Sequence, residues 1–141
     1  MIIGSGHFEI AKDQALLAQM RLDPRRQLVA AQCSGTLMLA KLGLLEGRPA
    51  CTDLKTKKWV VEAGVSVIDQ PFYAEGNVAT AGGCLASPYL ATWIILRLGS
   101  REDVETALGR VAPVGQQAEY IARAIEAVAP YLTSPAVASA A

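Results

Sequence analysis

The sequence has little that could bind a metal ion or form disulfide bonds. It contains one histidine and three cysteines, with no Cys-x-x-Cys motif and no cluster of cysteine and histidine. Structural zinc sites are built from such clusters, so we expect no metal. An odd number of cysteines without a paired spacing is typical of free thiols in a reducing compartment. The expected location is therefore the cytoplasm.

Net charge and long apolar segments are also lacking. Thirteen basic residues balance thirteen acidic ones, so no strong electrostatic field attracts nucleic acid or an anionic membrane. No apolar run approaches the ~18 residues that a membrane-spanning helix requires, and the chain does not open with a signal-peptide pattern. Neither a GxGxxG motif nor a P-loop is present, so no nucleotide cofactor is expected.

The length and composition predict one folded domain. A chain of 141 residues, 52% of them apolar, can bury one hydrophobic core but not two. We place this domain at residues 1–132. The segment 133–141 is rich in alanine, serine and proline, and we expect it to be a flexible C-terminal tail.

Short apolar runs alternate along the chain with amphipathic stretches. The apolar runs predict strands at about residues 1–3, 28–32, 49–52, 65–67, 72–74 and 78–81. The amphipathic stretches predict helices at about residues 12–20, 36–45, 54–63, 85–98, 101–111 and 117–130. This alternation indicates an α/β fold, with a mostly parallel sheet and helices on both faces. Ligands of such sheets bind beyond the carboxyl ends of the strands.

The strand at 28–32 leads directly into Cys33, which Ser34, Gly35 and a helix follow. A side chain at such a sharp strand-to-helix turn is held exposed, and a helix N-terminus there stabilises a thiolate. Free amide groups at the turn can also bind an oxyanion. The pattern therefore fits a nucleophile elbow, although a buried structural cysteine would give the same local sequence.

Three segments together resemble one protein family. The segment 28–52, LVAAQCSGTLMLAKLGLLEGRPACT, combines the elbow, a helix end of the form AGLL-x-G-R and a short strand. The segment 75–86, EGNVATAGGCLA, resembles a strand of the form dGnvvTaGG, and the segment 3–6, IGSG, resembles a Gly-Gly loop. Their order and spacing are similar to those of the DJ-1/PfpI (ThiJ) family, in the class I glutamine amidotransferase-like superfamily.

The resemblance implies a flavodoxin-like fold of three α/β/α layers and a reactive cysteine. Cys33 would be the nucleophile, and backbone amides of Gly4, Ser5, Gly6 and Ser34 would form the oxyanion or substrate-binding site. Family members usually begin with a further βαβ unit, whose acidic residue hydrogen-bonds the cysteine. No segment here corresponds to that unit, so we expect the domain to be N-terminally truncated.

Many relatives carry Thr-His or Cys-His after the short strand, where this chain has Thr52-Asp53. Asp53 could act on Cys33 as a general acid or base or orient water, and it could equally cap the next helix. Thr52 belongs to the same expected site. His7 follows the glycine-rich loop, where it could bind a ligand or be an ordinary surface residue.

The resemblance implies a cysteine-dependent hydrolase or hydratase, acting on a small electrophile as isonitrile hydratases and glyoxalases do. The alternatives are a non-enzymatic ligand- or redox-sensing module and an inactive fragment of a family member. Relatives often form dimers, so the expected partners are a small molecule and a second copy of the chain. Cys51 and Cys84 are interpreted as small packing residues, although Cys84, near the start of a helix, could also be oxidisable.

Overall fold

A computed structural model describes residues 2–3 and 9–132 of the chain. Met1, residues 4–8 and the predicted tail, 133–141, lie outside the described residues. The strands are β1 (Ile2–Ile3), β2 (Val29–Gln32), β3 (Phe72–Glu75) and β4 (Val78–Ala81). The helices are α1 (Gln14–Gln19), α2 (Gly35–Lys41), α3 (Lys57–Glu62), α4 (Ser87–Leu98), α5 (Arg101–Val111) and α6 (Gln117–Val128).

The four strands form one sheet in the order β1-β2-β4-β3. Strands β1, β2 and β4 are parallel, and β3 pairs with β4 as an antiparallel hairpin that turns at Gly76 with φ of 60°. The mostly parallel sheet is therefore confirmed. The strands predicted at 49–52 and 65–67 are reduced to a single parallel bridge between Ala50 and Val67.

Strand β2 is buried on both faces, as its run of apolar residues predicts. Val29 and Ala31 pack on one side in a core with Leu37 and Leu39 of α2. Ala30 packs on the other side, in a core that contains Trp93 of α4. Because successive strand residues point to opposite faces, one short strand supports both helical layers. The three-layer α/β/α arrangement is thus confirmed.

Two helices show how local capping sets their bounds. Helix α5 spans the predicted range, because Ser100 and Asp103 form a reciprocal capping box at its start. Helix α3 begins at Lys57 rather than at residue 54, since the Asp53 carboxylate organises the preceding turn by accepting hydrogen bonds from the amides of Lys55 and Thr56. Within the described part of the chain, no helix is long and apolar enough to cross a bilayer.

The end of β4 lies against the segment that contains Thr52. A Cβ atom added at Gly82 would be 2.6 Å from the Thr52 carbonyl oxygen and 3.2 Å from its backbone nitrogen. No side chain fits at this distance, so glycine is required for the close approach of the two backbones. This close contact between the Gly82 and Thr52 backbones also sets the position of Thr52 relative to the end of β2.

We predict that Gly82→Ala lowers the free energy of unfolding by roughly 1–3 kcal/mol, because the Thr52 backbone must shift to admit the methyl group. The matched control is Gly109→Ala in α5, where an added Cβ meets no atom within 4 Å. This control should stabilise the protein by roughly 0.5–1 kcal/mol, since alanine favours a helix interior over glycine. Chemical denaturation of both variants measures the two effects, and equal stabilities would contradict the close packing at Gly82.

Candidate active site

Cys33 directly follows β2 and begins the two-residue turn into α2. Its amide donates to the Ala81 carbonyl at 2.9 Å, which extends the parallel pairing of β2 and β4 by one hydrogen bond. Its φ angle is 52°, and among the described residues it is the sole non-glycine with a positive φ. A side chain in this left-handed region is strained by about 1–2 kcal/mol, and such strain is concentrated at functional sites.

Two further hydrogen bonds hold this backbone in place. The Cys33 carbonyl accepts from Thr52 Oγ1 at 2.8 Å and from the Thr36 amide at 3.1 Å. Thr36 Oγ1 donates to the Cys51 carbonyl at 2.9 Å, and the Cys51 amide donates to Thr80 Oγ1 at 2.9 Å. The segment that contains Thr52 is therefore tied both to the elbow and to the neighbouring strand.

The thiol of Cys33 is more enclosed than the elbow pattern predicts, since the residue is only 4% exposed. This burial raises the pKa of the Cys33 thiol, because a thiolate loses hydration there. The Gly83 amide lowers the pKa, whereas the Cys84 thiol and the Asp53 carboxylate raise it further. The net direction of the Cys33 pKa is upward, whereas the elbow pattern predicts a stabilised thiolate.

Asp53 orders the turn that precedes α3 and also approaches the cysteine, whereas Thr56 occupies the N-cap position of the helix. Its carboxylate accepts from the amides of Lys55 and Thr56, both at 3.0 Å. The same carboxylate acts through its charge on Cys33, which places it within electrostatic reach of the thiol. Ordering this turn leaves room for a role at Cys33, because a carboxylate retains free lone pairs after accepting two hydrogen bonds.

Gln32 is a polar residue of this site that the sequence interpretation missed. Its Nε2 atom donates to the carbonyls of Gly83 and Cys84, both at 3.0 Å, and to Ser87 Oγ at 2.9 Å. These bonds hold the turn after β4 beside the end of β2. The available signal was a glutamine that ends an otherwise apolar strand, since a polar group in a buried strand requires hydrogen-bond partners.

The three cysteines occupy different environments. Cys51 is fully buried, and this burial raises the pKa of its thiol to about 12, so its interpretation as a packing residue fits. Cys84 is exposed, so interpreting it as a packing residue is wrong. The reason is the turn after Gly83, which has φ of 87° and directs Cys84 out of the core.

The remaining expected site residues are only partly described. Gly4, Ser5, Gly6 and His7 lie outside the described residues. Ser34 is buried immediately after the cysteine, at the start of α2. No group of three or more histidine, cysteine, aspartate or glutamate side chains in the described ranges could hold a metal ion.

A separate groove of about 940 Å³ lies between α1, α2 and α3. Leu17, Leu37 and Trp59 contribute to its apolar wall, and Lys12 and Glu62 to its polar rim. Cys33 does not line this groove, which lies on the layer of helices and not at the end of the strands. The candidate site is therefore the cluster around Cys33, where a strained thiol, a carboxylate and backbone amides meet.

The fold is similar to that of several solved structures. A ThiJ/PfpI family protein from Pseudomonas syringae superposes with a TM-score of 0.67 at 21% identity, covering 93% of this chain and 61% of that one. A ThiJ/PfpI domain protein from Brachyspira murdochii gives 0.56 at 21% identity, covering 67% and 57%. DJ-1 of Schizosaccharomyces pombe gives 0.53 at 19% identity, covering 61% and 45%. The chain thus spans about half the length of the last two proteins.

None of the curated proteins matches the chain. The DJ-1/PfpI family matches residues 9–96, which include the elbow, the Thr52-Asp53 pair and the Gly82-Gly83 turn. This match covers more than half of the sequence and agrees with the resemblance of its motifs. The chain belongs to the DJ-1/PfpI family.

Proposed function

We propose that the protein is a cysteine-dependent hydrolase or hydratase that acts on a small electrophile, with Cys33 as the nucleophile. The observation that carries this proposal is the left-handed backbone of Cys33, which has φ of 52° and is held by hydrogen bonds from both neighbouring segments. An inert core cysteine has no need of a strained backbone. Strain of this kind at a strand-to-helix turn positions the nucleophile in other hydrolases.

The buried thiol needs a group that accepts its proton, because its pKa is raised. Asp53 is the carboxylate near Cys33 and takes this role, passing the proton on to the substrate. With an isonitrile, Cys33 Sγ bonds to the terminal carbon and the proton completes a thioimidate. Water then adds to that carbon and the thiol leaves, so the product is an N-substituted formamide.

Backbone amides stabilise the charge that develops on the substrate. The Gly83 amide faces the thiol and lowers its pKa, and the Ser34 amide begins the helix after the cysteine. The resemblance adds the amides of the loop at Gly4–Gly6 to this set. A glyoxalase-like reaction uses the same groups, since attack on the aldehyde of a 2-oxoaldehyde creates an oxyanion that backbone amides can bind. The free thiols of Cys33 and Cys84 fit a reducing compartment such as the cytoplasm.

Replacement of the nucleophile tests the proposal directly. Cys33→Ser should abolish turnover of an isonitrile and of methylglyoxal, because a serine hydroxyl is a far weaker nucleophile without a strong base. The matched control is Cys51→Ala, which removes a buried thiol and should retain turnover. Turnover is measured by gas or liquid chromatography of the product. Activity that survives in Cys33→Ser, or no activity of the native protein on either substrate, would contradict the proposal.

Asp53→Asn tests the carboxylate. Its negative charge raises the pKa of Cys33, so its removal should move the midpoint of Cys33 alkylation to lower pH. Asparagine still accepts the amides of Lys55 and Thr56, so the melting temperature should change little. Peptide-resolved mass spectrometry after brief alkylation across a pH series gives the midpoint.

The matched control for this experiment is Asp69→Asn, an exposed carboxylate on the turn before β3. It should leave the alkylation midpoint of Cys33 unchanged. If Asp53→Asn also leaves it unchanged, Asp53 orders the turn before α3 and has no part in the chemistry.

We further propose that the protein forms a homodimer. Leu54 is 89% exposed and directly follows Asp53 of the candidate site. An exposed leucine beside a site favours an interface that covers it. Light scattering over a concentration series should give the mass of a dimer, and Leu54→Lys should shift the population toward monomer. A monomer throughout the series would exclude this association.

A further inference from the structure

The turn after β4 places a second cysteine close to Cys33. Gly83 has φ of 87°, and Cys84 begins a short 3-10 turn, Cys84–Ala86, that leads into α4. An added Cβ at Gly83 would meet no atom within 4 Å, so the turn has open space around it. Cys84 is therefore exposed at the start of this turn, immediately after the glycine whose amide faces Cys33.

The backbone of Cys84 is tied to the residue that precedes Cys33. Gln32 Nε2 donates to the Cys84 carbonyl at 3.0 Å, and Ser87 Oγ donates to the same carbonyl at 2.7 Å. The Cys33 amide is itself bonded to Ala81 on β4. The two cysteines are thus held at the adjoining ends of two paired strands.

The two thiols differ in their access to solvent. Cys33 is 4% exposed, whereas Cys84 is exposed and its neighbour Leu85 is almost entirely so. The Cys84 thiol lies close enough to Cys33 to raise the pKa of that thiol. An external reagent therefore reacts with Cys84 first, and Cys33 can then react with the modified Cys84.

We propose that Cys84 and Cys33 form a redox pair, which a low-molecular-weight disulfide such as oxidised glutathione converts into a reversible intramolecular disulfide. The proposal concerns a modification of the site and does not depend on whether Cys33 turns over a substrate. In this proposal, oxidation begins at the accessible thiol of Cys84 and is completed by the buried thiol of Cys33.

The exchange proceeds in two balanced steps. The Cys84 thiolate attacks one sulfur of the external disulfide, whose S–S bond breaks as the first glutathione leaves as a thiol. Cys33 then loses its proton to solvent, and its sulfur attacks Cys84 Sγ. The mixed disulfide breaks, the second glutathione leaves, and the Cys33–Cys84 bond forms. The two protein thiols are oxidised and one external disulfide is reduced.

Closure of this disulfide masks Cys33 and protects it. The sulfur in a disulfide is neither a nucleophile nor open to irreversible oxidation to a sulfonic acid. Reduction by a small thiol restores both cysteines. Neighbouring Gln32 holds the turn by hydrogen bonds to backbone carbonyls, and these do not involve either sulfur. The turn can therefore keep its anchor while the two side chains join.

The test is incubation of the purified protein with oxidised glutathione, followed by rapid alkylation of free thiols and peptide mass spectrometry. We expect loss of both free thiols, Cys33 and Cys84, a linked peptide that contains the two residues, and full recovery with dithiothreitol. The Cys51→Ala variant should give the same linked peptide, because its thiol takes no part.

Two variants separate the steps. Cys33→Ser should retain a stable glutathione adduct on Cys84, and Cys84→Ser should leave Cys33 free to be alkylated after the same treatment. Three results would overturn the pair. The first is a glutathione adduct on Cys84 that persists in the native protein, and the second is a disulfide that links Cys84 of two chains. The third is glutathionylation of Cys33 in the Cys84→Ser variant as fast as Cys84 reacts in the native protein. Because each readout is a peptide mass, none requires an enzymatic assay.

Discussion

The left-handed backbone of Cys33 is the constraint on which the candidate site depends. A parallel strand pair normally ends where both chains turn away, but here one more hydrogen bond joins Cys33 to Ala81 beyond the strand. The chain must then reverse into α2 within a single residue, and positive φ at Cys33 accomplishes this. Thr52 and Thr36 offset the cost, because both donate to the Cys33 carbonyl. The same bonds bring Thr52 and Asp53 to the thiol.

Burial gives this thiol a different character from that of an exposed elbow cysteine. A desolvated thiol keeps its proton, so the Gly83 amide alone does not produce a thiolate, and Asp53 opposes one. A thiol of this kind needs a proton acceptor if it is to act as a nucleophile. In the proposed reaction, the carboxylate that disfavours the free thiolate also receives its proton.

The turn after β4 is held in place by one polar side chain. Gln32 organises two peptide groups, and with them it sets the positions of the Gly83 amide and of Cys84. The exposed Cys84 and the buried Cys33 are therefore parts of one local structure.

The sequence by itself determined the layers, the order of most elements and the position of Cys33 at a strand end. Apolar runs, helical periodicity and the capping pattern at Ser100 are local signals, and the helix at 101–111 needed nothing more. Tertiary structure decided the enclosure of Cys33, the exposure of Cys84 and the partners of Gln32, because each depends on which distant segment packs beside it. It also decided that the segment around Ala50 forms only a bridge. With Thr52 packed against Gly82, the Cys51 backbone hydrogen-bonds to side chains of α2 and β4. Spacing along a chain carries no information on such contacts between residues thirty or fifty positions apart, as from Thr52 to Gly82 or from Gln32 to Cys84.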